Sequence, residues 1–440
     1  MKDKKISRRN FIKLGGLAGA GFVLVPFVSS CGGDDSGNGD PNKPIDPGTG
    51  AKVGDVLPAW QEGYLDIHAI NTGRGESTFY IFPDGTTMMV DVAGSLLPTT
   101  EAIPPTDAKP NKSITSGQVI VNYANHFMNG VNDRLNYLML THWDPDHMGN
   151  YSTDTPLSAS GDFRINGITE VGTKLRFDKM IDRDYPTYNF PGTTTAAAAK
   201  ANYRKFTDWA KTAYGATIEK FDVGKTDQIV LKKNPSKYSG FQIRNIMGNG
   251  WVWTGNGTES VNTLPSNAAS IVAADADENV FSLAFLLSYG KFNYFAGGDL
   301  QFNGKSTYAW KDVEAPIINV VPAVDVMKAN HHGTSNCNGE AFLKKLNPSV
   351  VLCHVWRDVQ PNPDTIGRMY AANTGCRIFT TNMTNDNKTR LSAYLSKFYS
   401  TQGHVVVRVE PQGLKYTVYV LDDTNEEYKI KQINGPYPSN

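Results

Sequence analysis

The sequence predicts an α/β chain in which two β-sheets pack face to face with helices on their outer sides, a four-layer αββα sandwich. Three observations carry this expectation. Strand-like runs broken by glycine turns come first, at Tyr64 to Ile70, Thr78 to Phe82 and Thr87 to Asp91. A helical stretch and a buried strand follow, and a second series of strands and short helices then extends from Phe241 to Thr381. Side chains of metal-binding type gather at strand ends, in separate loops that one edge of such a sandwich would bring together.

A chain of 440 residues can bury one large core or two ordinary ones. Lys plus Arg and Asp plus Glu number 43 each, a formal net charge of +0, so long-range attraction to nucleic acid or acidic membrane is not indicated. No strong general nucleic-acid affinity is expected, and a processive nuclease would want a basic track.

The first 31 residues read as an address. Ser7, Arg8, Arg9, Asn10, Phe11, Ile12 and Lys13 resemble a twin-arginine export signal, followed by an apolar run from Leu14 to Phe27. That run is too short and glycine-rich for a permanent membrane span. Val28, Ser29, Ser30 and Cys31 are similar to a lipobox, whose cleavage would leave Cys31 as a lipidated N-terminus. The expected location is exported, on the periplasmic or cell-surface side of a bacterial membrane, tethered by acyl chains. Residues 32–58, dominated by Gly, Asp, Asn and Pro at their start, are expected to form a flexible linker. Three cysteines remain, Cys337, Cys353 and Cys376, which allows at most one disulfide and favours buried or paired structural thiols.

Along the body, Asp91 closes its strand, and Leu96 to Thr115, rich in Pro, Thr and Lys, reads as a surface insertion. Ser116 to Asn129 places Val119, Ile120, Tyr123 and Phe127 on one helical face, with His126 on the surface. Tyr137 to Leu140 is a buried strand that delivers Thr141 to Gly149, THWDPDHMG. His142, Asp144, Asp146 and His147 put four ligand-type side chains into six residues. Imidazole nitrogen and carboxylate oxygen are what first-row divalent metals take, and a loop leaving a strand can fix their geometry. A plain helix cap with Asp146 as N-cap is the competing reading, but it needs only one such residue.

Lys174 to Met180 looks extended and Thr193 to Tyr214 helical, with many aromatics between; Tyr185, Tyr188 and Phe190 are candidates for core or for a substrate wall. Strands at Phe241 to Met247, Phe281 to Tyr289 and Phe292 to Ala296 lead to Gly297, Gly298, Asp299 and Leu300. Val324 to Ala329 is a strand delivering Asn330, His331, His332, Gly333, Thr334 and Ser335. Helices are expected at Glu340 to Leu346 and Pro363 to Ala372, strands at Ser349 to His354 and Cys376 to Thr381, and a closing hairpin at Val405 to Glu410 and Leu414 to Leu421. His354 is expected near the cleft rim and His404 on the surface.

These motifs resemble the metallo-β-lactamase superfamily. Its second motif is HxHxDH; here Asp144 replaces the middle histidine, as in the HxDxDHxG loop of the hydrolase domain of the competence DNA-uptake protein ComEC. Asp91, Val92, Ala93 and Gly94 are similar to the first motif, which implies that Asp91 supports the metal loop from behind. Asn71 to Ser77 resembles the VGQGDA turn, and Gly297 to Leu300 resembles LLTGDL, which implies that Asp299 bridges two cations. His331 and His332 match HHGS, and a related NHHHD occurs in bacterial phosphorylcholine esterases; one histidine is implied on the metal, and the other facing substrate, where it could protonate a leaving group. Pro363 to Ala372 is similar to HPxPEVLxxL, with Asn362 where the family has histidine. The resemblance spans roughly Tyr64 to Asp423 and implies one hydrolase domain with insertions, residues 59–440.

The implied ligands are His142, Asp144, Asp146, His147, Asp299, His331 and His332, with Asp146, His331 and His332 also catalytic. No histidine lies between His147 and His331, so the third-motif ligand of zinc lactamases is missing. The oxygen-rich set shifts the expected cofactor, one or two divalent ions, from Zn towards Mn, Fe or Mg. The implied activity is metal-dependent hydrolysis of a phosphodiester by an activated water. A carboxylic ester, lactone or amide is the alternative small-molecule substrate class, and a surface binding lipoprotein with a vestigial metal site is the non-enzymatic one.

Overall fold

The computed structural model describes residues 50–94, 106–191, 197–273, 277–302 and 308–440. Cys31, the export signal, most of the linker and much of the 96–115 insertion lie outside the described residues. Two nine-stranded mixed sheets form the body, in an α/β arrangement.

The first sheet is built from β1 (Leu65–Ala69), β2 (Thr78–Ile81), β3 (Thr87–Val90), β4 (Leu135–Met139), β5 (Phe177–Asp182) and β6 (Thr217–Lys220). The second holds β7 (Phe241–Gly248), β8 (Trp251–Trp253), β9 (Ser260–Asn262), β10 (Ala284–Tyr289), β11 (Phe292–Ala296), β12 (Val326–Lys328), β13 (Val350–Cys353), β14 (Arg377–Thr380) and β15 (Phe398–Ser400). The chain then returns to the first sheet with β16 (His404–Val409), β17 (Lys415–Leu421) and β18 (Ile430–Pro438). Sheet orders are 18-17-16-1-2-3-4-5-6 and 15-14-13-12-11-10-7-8-9. Each sheet changes from antiparallel to parallel pairing partway along, at β3 with β4 and at β11 with β12.

Alternation along the strands explains the packing. In β4, Tyr137 and Met139 face the second sheet, whereas Leu138 faces the helices, because successive side chains point to opposite sides. The core between the sheets also contains Ile67, Tyr80, Met88, Ile243, Phe285, Leu287, Tyr294 and Leu352, and the Tyr80 and Tyr294 hydroxyls meet across it at 3.2 Å. Each such fully buried apolar side chain contributes roughly 1.5–3 kcal/mol. Both faces of each sheet are covered, which is why the strands read as continuous apolar runs.

On the far side of the first sheet lie α1 (Ser116–Met128), the short α2 (Pro145–Met148), α3 (Ile168–Lys174) and α4 (Ala197–Tyr214). Ile120, Tyr123, Val171, Tyr203 and Phe206 pack there on Phe79, Met89, Leu138 and Met180. Helix α1 starts where Thr115 Oγ1 accepts from Gln118 N at 3.1 Å. On the far side of the second sheet, α5 (Ala268–Ala273), α6 (Glu340–Leu346) and α7 (Pro363–Ala372) contribute Ile271, Phe342, Leu343, Ile366 and Met369 to a core with Phe295, Met327, Val351 and Ile378. Helix α8 (Asn385–Arg390) follows β14. No helix of the described residues is long and apolar enough to cross a membrane.

Several expectations are corrected. His404 is 2 % exposed, its Nδ1 accepting from Asn71 N at 3.0 Å, because β16 lies inside the sheet and α1 covers it. His354 is 1 % exposed rather than at a rim, enclosed where β13 ends against Thr78 Oγ1 at 3.2 Å. Residues 168–174 are helical, so the strand expected from Lys174 begins at Phe177. The end of the expected linker is tied to the body: Val56 bridges Lys429, and Leu57 is buried. Strand β18 was not anticipated. Cys337, Cys353 and Cys376 are free and buried.

Candidate metal centre

The parallel strands set the site. Asp91 follows β3, residues 141–147 follow β4, Asp299 follows β11 and His331 and His332 follow β12, so all four segments leave the carboxyl ends of neighbouring parallel strands, two from each sheet. Two glycines permit the close approach of the segments. A Cβ at Gly75 would lie 2.0 Å from the Asp146 carbonyl, and without it Glu76 N donates to that carbonyl at 2.9 Å. Gly298, at φ +50, lets the chain turn against Thr141 so that Asp299 enters the cluster.

His147 Nε2, His332 Nε2 and Asp299 Oδ2 form a nearly equilateral triangle with edges of 3.3, 3.2 and 3.4 Å. Ligand atoms bonded to one tetrahedral cation at about 2.1 Å stand about 3.4 Å apart. Asp146 Oδ2 adds a fourth corner, 3.0 Å from His332 Nε2 and 3.9 Å from His147 Nε2. On the other side of Asp299, His142 Nε2 lies 4.0 Å and His331 Nε2 3.8 Å from the same Oδ2, and Asp144 Oδ2 is 3.5 Å from His142 Nε2. Of the seven side chains expected as ligands, four histidines therefore lie within 4.0 Å of the Asp299 carboxylate, with Asp146 beside His332 and Asp144 beside His142.

Proton positions follow from the outer partners. The Thr141 hydroxyl donates to Asp91 Oδ2 at 2.7 Å, so it can only accept from His142 Nδ1 at 3.0 Å. His147 Nδ1 faces Asp91 Oδ2 at 2.8 Å, and His332 Nδ1 faces the His354 carbonyl at 3.1 Å. Each of these imidazoles thus keeps a proton on Nδ1 and turns Nε2 inward, the nitrogen that a metal would take. The buried His142 Nε2 has no hydrogen-bond partner among the described residues, which fits a position meant for a cation.

The field is that of a cation site. Burial works against protonation of His332, but the Asp299 charge and the hydrogen bonds that the imidazole donates to Asp146 and Asp299 outweigh it and lift the imidazole to about 9. His147 is raised in the same way, against burial, by Asp299, Asp91 and Asp146. Burial opposes ionisation of Asp299, yet the surrounding histidines hold its carboxyl well below the usual range. His331 differs: burial dominates and lowers it, and its side chain is 20 % exposed while that of His332 is fully enclosed.

Two members were not singled out from the sequence. Glu76, His147, Asp299 and His332 offer ligand atoms all within 4.8 Å of one another and could hold a metal ion. Lys328 Nζ, however, lies 2.8 Å from Glu76 Oε2 and 3.7 Å from Asp299 Oδ1, and it also donates to the Gly298 carbonyl. A buried ammonium left without Glu76 would be costly, so Glu76 acts first as the counter-ion of Lys328. A lone lysine inside the apolar run Val324 to Ala329 was the available signal.

Behind the loop, Trp143 is buried, its backbone N donates to Glu278 Oε1 at 3.2 Å, and the Arg183 guanidinium lies 4.1 Å from its ring centre. Tyr188 packs edge-on to Trp143 as core, and Phe190 packs against Phe281. Tyr185 instead lines a cavity of about 690 Å³ with Phe221, Asp222 and Trp251, and no residue of the metal cluster lines that cavity.

No family model matches the chain, and no curated protein matches it. Among solved structures, it is similar to a protein from Parabacteroides distasonis described as a metal-dependent hydrolase, at 10 % identity over 72 % of this chain and 99 % of that one. The TM-score is 0.29, too low for that likeness to bear on fold or activity. What the chain itself provides is a buried group of His, Asp and Glu side chains able to bind a metal ion, at the joint edge of two mixed sheets.

Proposed function

We propose that this protein is a metal-dependent hydrolase with the αββα layering of the metallo-β-lactamase superfamily, ComEC-type branch, acting on a phosphodiester. The observation that carries the reading is the ligand triangle of His147, His332 and Asp299, with His142, Asp144 and His331 arranged beyond the same aspartate. His142, Asp144 and His331 would hold one divalent ion, Asp146, His147 and His332 a second, and Asp299 would serve both. Bound cations supply a water of lowered pKa and polarise the substrate oxygen. Asp146, partly exposed, accepts the proton of the attacking water at Oδ and orients it. Asp91 fixes His147 and, through Thr141, the register of the loop.

The HxDxDH, GGDL and HHG motifs support the phosphodiester over an ester, lactone or amide, and the export signal with Cys31 supports a lipid-anchored location outside the cytoplasmic membrane. Metal analysis of purified protein, with assays on bis-p-nitrophenyl phosphate, p-nitrophenylphosphorylcholine and nitrocefin, tests the reading. Bound metal and turnover of a phosphodiester are expected; turnover of nitrocefin alone would move the substrate class, and a metal-free, inert protein would sink the proposal. Cys31→Ala should release the protein from the membrane fraction.

A further inference from the structure

The two histidines that enter the cluster from the second sheet sit in an unfavourable backbone conformation. His331 has φ +44 and ψ +49, and His332 has φ +52 and ψ +19, with Asn338 at φ +56 in the same loop. Left-handed geometry is unfavourable for a non-glycine residue, so three such residues within eight need something that over-determines the loop. The parallel strand β12 fixes only the entry to the loop.

The exit is fixed by a side chain from a distant, otherwise unassigned segment. Glu314 is 1 % exposed. Its Oε1 accepts from Asn338 N at 2.6 Å and from Asn330 Nδ2 at 2.8 Å, and its Oε2 accepts from Gly339 N at 2.6 Å. Asn330 and Asn338 are themselves reciprocally bonded, Asn330 N to Asn338 Oδ1 at 3.1 Å and Asn338 Nδ2 to the Asn330 carbonyl at 3.0 Å. Both asparagines are fully buried. One carboxylate therefore ties together the residue just before His331 and the two residues that close the loop. No ion pair with Lys or Arg is recorded for Glu314 among the described residues, and burial pushes its carboxyl up to about 7. An unpaired buried carboxylate is costly unless hydrogen bonds repay it, which makes Glu314 a poor choice for stability alone.

We infer that Glu314 is the positioning residue of the centre, holding the 330–339 loop closed so that His331 and His332 keep their places around Asp299. This rests on the proposed metal-dependent function. Outer partners of metal ligands typically change affinity by about 10–100-fold, although here the partner acts on the loop rather than on the ring.

The test measures affinity of the full chain for Mn²⁺ and Zn²⁺ by competition with a chromogenic chelator, alongside the thermal midpoint of the metal-free protein. Glu314→Gln keeps an acceptor for Asn338 and Asn330 but turns an amide N–H towards Gly339 N. Asn330→Ala removes the bond from Asn330 Nδ2 to Glu314 Oε1 and leaves the two backbone donors to Glu314 in place. If Glu314 positions the histidines, both variants bind metal about 10-fold or more weakly while His126→Ala, on an exposed helix face, does not. Wild-type affinity in either folded variant overturns the inference, and if Glu314→Gln fails to fold, Asn330→Ala decides alone. A wild-type chain that binds neither ion removes the functional reading itself, and the inference with it; this outcome is distinct from variants that bind as well as wild type.

Discussion

Among the described residues, two clusters of histidine and aspartate are buried, and they differ in how their charge is balanced. Between α1 and the first sheet, Asp66, His68, His404 and Arg408 are all within 2 % of full burial. Arg408 grips Asp66 through two hydrogen bonds of 2.8 and 2.6 Å, and although burial would raise the Asp66 carboxyl, this grip holds it at about 2. His68 Nδ1 meets the Tyr123 hydroxyl at 3.0 Å, and burial keeps both His68 and His404 neutral, the latter pushed down to about 4. In the metal centre, by contrast, Asp91, Asp144, Asp146 and Asp299 surround the imidazoles, and Lys328 is shared with Glu76. One cluster balances the charge of its carboxylate with a guanidinium; the other sets several carboxylates around inward-facing Nε2 atoms with one lysine nearby. Burial of His and Asp does not distinguish a site from a structural knot, but uncompensated charge does.

The comparison can be broken by exchanging the consequences of a deletion. Asp299→Ala should lower metal affinity and turnover by at least about 100-fold with the fold retained, read by metal content and circular dichroism. Near-normal metal content would end the distinction drawn above. Asp66→Ala should do the reverse: Arg408 is left buried and unpaired, at a cost of about 3–5 kcal/mol in denaturant unfolding, while metal stoichiometry is unchanged in whatever fraction folds.

Proton linkage sharpens it further, with opposite signs. In the metal-free protein His332 holds its proton up to about 9, so a metal must displace that proton, and affinity should rise as pH is raised towards 9, with proton release measurable by calorimetry. His404 has a folded pKa near 4 against about 6.5 unfolded. Its contribution to stability is intact above about 6.5 and lost as pH falls through 4, so His404→Gln should flatten the acid limb of a urea-melt series between those values. The smallest effect is expected for His126→Ala, within about 0.5 kcal/mol of wild type by the same melts, because the residue is exposed.

The sequence made the ligand-bearing loops legible because chemistry is concentrated in them: four ligand-type side chains within His142 to His147, and the pairs at Gly298–Asp299 and His331–His332. Strand and helix runs such as Pro363 to Ala372 were legible from local pattern, with Asn362 capping the helix through a bond from Asp364 N at 2.9 Å. What escaped notice depends on neighbours far away in sequence. His404 lies at the start of a strand whose place in the sheet, between β1 and β17, has no local signature. Glu314 finds its partners 16 to 25 residues onward, and Glu76 finds Lys328 across the interface of the two sheets. The roles of His331 and His332 separate only through backbone geometry that makes one more open than the other.

The return of the chain to its first sheet bears on biogenesis. Asp66 and its partner Arg408 are 342 positions apart, and until β16 emerges from the ribosome the hydrogen-bonding edge of β1 stays bare. The first sheet therefore cannot be completed until the strand from residue 404 has been made. A nascent chain of this topology is expected to need a chaperone over that open edge, and ribosome-bound truncations ending before residue 404 should remain protease-sensitive.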